Sequence, residues 1–283
     1  AIIFHNDITT EICVTTVSDK FVIAYVDEIG YGNFIMYDET WSVFVSQTEF
    51  NSTITSNISI CNSLNNNFLI AYQSDIPVNS GKFAIYDLTG TLVKAETEFF
   101  ATNISTTSCS AVNDQIMITF IDPSDSYGRF AVYNDIGTFV TSGTFNSTVT
   151  NYNSCSASAN NFLICFSDND DSNIGKFVIY DIDGSTIIKA ITTFDVSGTQ
   201  LISSSKNIDV AGNISDRLNI VYAVLGNPQY IKTLVMDDLG TEIEYLGLTG
   251  SYDFYDPIYV EGVSTYQWYY SDAGVPPWSS LTG

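Results

Sequence analysis

Five short apolar runs recur along the chain: Phe21-Val22-Ile23-Ala24-Tyr25, Phe68-Leu69-Ile70-Ala71-Tyr72, Ile116-Met117-Ile118-Thr119-Phe120, Phe162-Leu163-Ile164-Cys165-Phe166 and Leu218-Asn219-Ile220-Val221-Tyr222. Short apolar runs bounded by turn residues predict strands covered on both faces. No stretch carries the 3.6-residue period of a strong amphipathic helix. After each run comes a second patterned segment: Gly32-Asn33-Phe34-Ile35-Met36-Tyr37-Asp38, then Gly81-Lys82-Phe83-Ala84-Ile85-Tyr86-Asp87, Gly128-Arg129-Phe130-Ala131-Val132-Tyr133-Asn134 and Gly175-Lys176-Phe177-Val178-Ile179-Tyr180-Asp181. The glycines are 49, 47 and 47 residues apart, and a degenerate fifth copy, Ile231-Lys232-Thr233-Leu234-Val235-Met236-Asp237, follows after 56. Tight turns such as Asp87-Leu88-Thr89-Gly90 come next, whose glycine supplies the left-handed residue a short hairpin needs. An alternating strand then exits. Upstream of the apolar run, in four of the units, lies a strand of small polar residues carrying Cys13, Cys61, Cys109 or Cys155. Each unit is therefore four antiparallel strands, A to D.

Four strands repeated at this spacing are the signature of a propeller blade, because a lone blade cannot bury both faces and must stack on neighbours. The repeat length divided into 283 residues predicts an all-β, six-bladed β-propeller of four-stranded antiparallel blades, rather than five or seven. It forms a single domain over 1–283, with blades at about 5–49, 50–98, 99–144, 145–193 and 194–250, and a last blade of 251–283 plus 1–4. That last blade stops where its strand D should begin, and Ile3-Phe4-His5-Asn6 matches the place of Thr144-Phe145-Asn146-Ser147 in a strand D. The segment either closes this chain's own ring or completes the blade of a neighbouring subunit by strand addition.

The units resemble the tandem propeller repeats of bacterial and environmental surface proteins, which read roughly Leu-Ile-Ala-Tyr-Ser-Asp, loop, Gly-x-Phe-Val-Ile-Tyr-Asp-x-x-Gly. The resemblance covers nearly the whole chain and implies extracellular display or adhesion rather than a chemistry. The fifth unit departs from it around Val210-Ala211-Gly212-Asn213 and Asn227-Pro228.

Charge narrows the partners. Nine Lys and Arg stand against 32 Asp and Glu, a formal net charge of −23. Nucleic acid and anionic lipid are disfavoured, since binding them rests on basic contacts to phosphate. The same charge also serves simply to keep a β-rich surface dispersed. No apolar run reaches the length that spans a bilayer, and the opening Ala1-Ile2-Ile3-Phe4 is expected to follow processing of a longer chain. Plentiful Asn, Ser and Thr with scarce Lys predict an extracellular location.

Catalytic constellations are hard to find. His5 is the sole histidine and the only arginines are Arg129 and Arg217, too few for a histidine metal centre or a triple-arginine carboxylate clamp. A pair of carboxylates for glycoside hydrolysis is not excluded by count, but no pair stands out. The expectation is a chain that is not an enzyme: an extracellular structural or adhesive module, self-associating or bound to neighbouring subunits as a glycosylated fibre subunit. A lectin-like module binding carbohydrate or calcium is the alternative, and a glycosidase or lyase the third reading.

Four candidate features remain. The Cys13, Cys61, Cys109 and Cys155 register reads as one repeated small buried residue, whereas Cys155 and Cys165 flank a turn and are a candidate disulfide across strands A and B. Asp168, Asp170 and Ser172, ahead of Gly175, resemble a calcium loop with alternating oxygens, although an Asx turn accounts for the same residues. Sequons place candidate glycans on Asn51, Asn57, Asn103, Asn146 and Asn213; the number is what composition alone yields, and the matched positions of Asn51 and Asn146 carry the case. Tyr266, Trp268, Tyr269 and Tyr270 read as core or as a sugar platform, and Trp278 as an exposed aromatic.

Overall fold

The computed structural model describes residues 8–63, 65–75, 79–158 and 160–195, and then 208–212, 217–224, 230–237, 242–248, 269–270 and 279–280. By internal contacts the chain divides into residues 1–249 and 250–283. The expected sixth blade, its closing strand and the aromatics Tyr266, Trp268 and Trp278 lie outside the described residues. In the second unit two short strands, Tyr269–Tyr270 and Ser279–Ser280, pair antiparallel.

The first unit is built from five four-stranded antiparallel sheets in simple meander order. Blade 1 comprises β1 (Thr10–Val17), β2 (Lys20–Val26), β3 (Gly32–Tyr37) and β4 (Val43–Asn51). Blade 2 comprises β5 (Thr55–Asn62), β6 (Phe68–Ser74), β7 (Ser80–Tyr86) and β8 (Leu92–Phe100). Blade 3 comprises β9 (Ser105–Val112), β10 (Gln115–Asp122), β11 (Tyr127–Asn134) and β12 (Phe139–Asn146). Blade 4 comprises β13 (Thr150–Ser158), β14 (Asn161–Asp168), β15 (Ile174–Asp181) and β16 (Ile187–Asp195), and blade 5 comprises β17 (Ile208–Gly212), β18 (Arg217–Val224), β19 (Tyr230–Asp237) and β20 (Glu242–Leu248). The A strands β1, β5, β9, β13 and β17 lie side by side in that order.

Strand parity explains why the apolar runs are continuous rather than alternating. In β6, Phe68, Ile70 and Tyr72 pack with Val22, Phe34 and Met36 of blade 1, while Leu69 and Ala71 pack with Ile116 and Ile118 of blade 3. In β10 the opposite face, through Met117, joins Phe162, Ile164 and Phe166 of blade 4. Successive side chains point to opposite faces of a strand, so a strand sandwiched between two neighbours must be apolar at every position. Most of these side chains are fully buried, each stabilising by roughly 1.5–3 kcal/mol relative to exposure.

The glycine at or next to the start of the C strand in blades 1 to 4 is explained by close approach. A Cβ on Gly32, Gly81, Gly128 or Gly175 would meet the ring of Phe50, Phe99, Phe145 or Phe194 of the same blade's D strand at 2.2–2.6 Å. The ring occupies the space where a side chain on that residue would stand. The glycine of the C-to-D turn has a different reason: Gly90, Gly137 and Gly184 have φ of 75°, 77° and 71°, the left-handed region that side chains avoid.

We expect Gly128→Ala to destabilise the protein by about 1–3 kcal/mol through overpacking. Chemical denaturation should show the cost vanishing in the Phe145→Ala background, where the ring is gone; an additive double mutant would contradict the ring-on-glycine account.

Candidate functional site

Where the A strands meet, side chains and backbone of one blade bond to the next. The Ile58 N–H donates to Glu11 Oε2 at 3.0 Å, the Thr106 N–H to Asn57 Oδ1 at 3.3 Å, and the Thr106 hydroxyl to Asn153 Oδ1 at 2.5 Å. Deeper in the strands the Cys109 N–H donates to Ser59 Oγ and the Cys155 N–H to Ser108 Oγ, both at 3.0 Å. Glu11, Asn57 and Thr106 hold φ of 50°, 53° and 48°, at or next to irregularities in the A–B pairing. These bulged positions turn a side chain out of the sheet and across the seam. Threonine in that region is an outlier held by its surroundings.

Between these strands lies a cavity of about 420 Å³, walled by β1, β5, β9 and β13. Among the described residues its lining is serine, threonine, asparagine, cysteine, Val14, Ile60 and Ala111, with no charged side chain. Seam bonds occupy Ser59, Ser108 and Asn153; Thr15 and Ser110 are half-buried members of the wall and Asn62 an exposed one. Four thiols, Cys13, Cys61, Cys109 and Cys155, line the same wall. Burial pushes the Cys61 thiol well up, with the neighbouring Cys109 thiol adding to it, and burial does the same to Cys155. Thiols kept protonated are poor nucleophiles and poor metal ligands.

A second repeated feature sits at the opposite end of the C strand from its Asx turn, on the residue after the opening glycine. In blade 3, Arg129 pairs with Asp122 and Asp125, and in blade 4 Lys176 pairs with Asp168 and Asp171, both at 2.8 Å. In blade 2, Glu96 accepts from Lys82 at 2.6 Å and from the Tyr72 hydroxyl at 2.9 Å. Blade 1 substitutes Asn33, which donates to Asp27 Oδ2 at 2.9 Å. Burial alone would raise the Asp122 carboxyl, but the Ser124 hydrogen bonds and the Arg129 guanidinium outweigh it and hold the acid below its ordinary range. Lys176 is held above the usual ammonium range, because its two carboxylates outweigh the burial that disfavours its charge.

The structure corrects several expectations. Cys155 and Cys165 are not bridged: Cys155 lies opposite Ile164 and Cys165 opposite Ser154, so the two thiols project from opposite faces of blade 4, and all five cysteines are free. Asn51 and Asn146 are 6 % and 5 % exposed, and their side-chain amides donate to Thr55 and Thr150 hydroxyls at 2.8 and 2.9 Å. A glycan needs that nitrogen free, so these two are corner residues of the D-to-A loop rather than acceptors. The shared Asn-Ser-Thr-x-Thr sequence encodes the corner. Asn57 is half-buried and committed to the seam, Asn103 is exposed, and Asn213 lies outside the described residues. The oxygens of the Asp168-Asp170-Ser172 loop have partners within the blade: Asp168 takes the Lys176 ammonium and the Thr148 hydroxyl, and Asp170 takes the Val149 N–H at 3.2 Å. Among the described residues no group of three or more His, Cys, Asp or Glu side chains is placed to hold a metal. Among them, too, no helix is long and apolar enough to cross a membrane.

No family model and no curated protein matches the chain in sequence. Solved structures match it in fold. An ulvan lyase, a polysaccharide lyase solved bound to -[GlcA(1-4)Rha3S]-, superposes with TM-score 0.55 at 9 % identity, covering 83 % of this chain and 69 % of that one. A six-bladed β-propeller lectin of Aleuria aurantia with a fucose recognition mode gives TM-score 0.54 at 10 % identity over 86 % and 80 %. The SapL1 lectin in complex with alpha methyl fucoside gives 0.52 at 12 % over 83 % and 78 %. The expectation of a chain that is not an enzyme is corrected here, because a propeller similar in fold is a polysaccharide lyase, so the fold admits catalysis. At these identities the likeness establishes architecture: the chain is a β-propeller of four-stranded antiparallel blades.

We expect thiol labelling of the native protein near pH 8 to modify Cys13 at most, and five thiols after denaturation; three would restore the Cys155–Cys165 bridge. The depressed Asp122 carboxyl contributes stability that is present above its ordinary value of 3.8 and is lost as pH falls through the lower folded value. Arg129→Gln should therefore cost about 2 kcal/mol at neutral pH, with the gap to wild type closing below about pH 4 in acid unfolding curves.

Proposed function

We propose that the chain is a carbohydrate-binding β-propeller that takes an uncharged, hydroxyl-rich glycan in its inner-strand cavity and acts outside the cell. One observation carries the proposal: on a chain of net charge −23, the described wall of the cavity, from β1, β5, β9 and β13, has no charged side chain. Hydroxyl and amide groups both donate and accept, which matches the hydroxyls of a neutral sugar. A volume of about 420 Å³ lies in the range of small-ligand sites.

Charge also separates the two kinds of neighbour. A polymer carrying uronate and sulfate, like the saccharide bound in the ulvan lyase structure, would approach a strongly acidic surface whose C-strand cations Lys82, Arg129 and Lys176 are already paired with carboxylates. Repulsion of that kind slows and weakens association. A neutral ligand such as the fucoside of the lectin structure meets no such barrier. The fibre-subunit reading loses support with the burial of Asn51 and Asn146, whereas an extracellular place agrees with a glycan ligand.

A glycan array followed by calorimetry tests this. The expected result is binding to neutral glycans that changes little between low and physiological salt, with the cavity-bound component lost on Ser110→Trp, which fills the cavity. Binding confined to uronate- or sulfate-bearing glycans would falsify the proposal.

A further inference from the structure

The C-to-D turns of blades 1 to 4 share one geometry, and one of them breaks its residue pattern. The fourth turn residue donates its N–H to the carbonyl of the first: Trp41 to Asp38, Gly90 to Asp87 and Gly137 to Asn134 at 2.9 Å, and Gly184 to Asp181 at 3.0 Å. In blades 2 to 4 that residue is glycine, as its positive φ demands. Blade 1 has Trp41 there, at φ 63°, a conformation that a bulky side chain adopts only at an energetic cost.

Folding does not require the indole, because three sister turns close without it. Nor is the indole buried: Trp41 is 50 % exposed. One of its faces lies parallel on the Phe21 ring, with centroids 4.9 Å apart and planes 4° from parallel. The Tyr37 ring stands 6.2 Å away, tilted by 51°, and half of the tryptophan's surface remains open to solvent. Phe44, 46 % exposed, stands in the same region beneath the Lys20 ammonium, 4.9 Å from the ring centroid. Lys20 is itself paired with Asp19, so both signs of charge lie together beside the rings. The Thr40 and Ser42 hydroxyls are exposed on the same turn.

We infer that Trp41, braced by Phe21, is a stacking platform for the apolar C–H face of a neutral sugar ring, a second saccharide subsite at the turn end of blade 1. This rests on the carbohydrate reading above and adds a place the inner-strand cavity does not include. A rigid aromatic face with polar groups at its edge binds a ligand that is apolar on one side and hydroxylated around its rim. The size also points to a sugar: one indole face and part of a phenyl ring fall far short of the roughly 800 Å² per partner of a stable protein interface. Asp19 offsets Lys20, and Asp38 and Glu39 on the turn leave the surroundings negative, which disfavours an anionic sugar.

The test is Trp41→Gly, which gives blade 1 the residue its sister turns already use, so the variant is expected to fold and to melt within a few degrees of wild type. Titration with methyl glycosides of glucose, galactose, mannose and fucose, followed by tryptophan fluorescence and calorimetry, should show wild-type binding with a shift of the emission maximum. Trp41→Gly should weaken it about tenfold or more, and Trp41→Phe should keep part of it. Binding in Ser110→Trp that Trp41→Gly then removes supports the platform even if the cavity reading fails. Affinity and stoichiometry unchanged in Trp41→Gly overturn the platform alone, and a wild-type protein silent towards every neutral saccharide overturns the carbohydrate reading with it.

Discussion

A four-stranded sheet whose two middle strands are apolar on both faces has to be covered twice, and no single blade of this chain can cover itself. The interaction on which the rest depends is therefore face-to-face packing between consecutive blades, with Phe68, Ile70 and Tyr72 turned one way and Leu69 and Ala71 the other. Packing of this kind places the A strands side by side and brings their small side chains together. Large side chains there would hold the blades apart. The run of Ser, Thr, Cys and Asn in β1, β5, β9 and β13 thus satisfies the geometry first, and the uncharged cavity is what that geometry leaves open.

Among the described residues the acids lie outside the wall of that cavity. Asp122, Asp125, Asp168 and Asp171 meet cations from neighbouring C strands, and Asp38, Asp87 and Asp181 accept backbone N–H groups in their turns. Each of these roles fixes a loop at the rim of a blade. Charge on the exterior and hydrogen-bonding neutrality within make two chemically different surfaces on one molecule.

Much of the fold was legible because the repeat multiplies its own signal: four copies of the glycine-to-aspartate heptapeptide fix strand C, its turn and its spacing at once. What the sequence hid were facts of parity and contact. Cys155 and Cys165 look symmetric about a turn, yet the pairing sets them one residue out of register, and in a strand one residue is a change of face. The Asn-Ser-Thr-x-Thr corner obeys a glycosylation pattern while spending its amide on a threonine hydroxyl; spacing cannot separate these uses, and burial does. The uncharged cavity was hidden because its wall comes from four strands distant in sequence. Trp41 left a visible trace, since a tryptophan stands where the aligned turns have glycine, but its weight came only with φ, exposure and the ring beneath it.

The seams differ from one another although the blades are alike. Glu11 reaches the Ile58 N–H across the first, Asn57 the Thr106 N–H across the second, and Thr106 the Asn153 side chain across the third. Near-identical units joined in tandem are prone to dock out of sequence while they fold, with one blade pairing against the wrong neighbour. A carboxylate, an amide and a hydroxyl at equivalent positions give each join its own hydrogen-bonding partner, so a misplaced blade leaves polar groups buried and unmatched. The bulged residues thus act as addresses, recording the order of the blades in a chain whose apolar cores alone could not tell them apart.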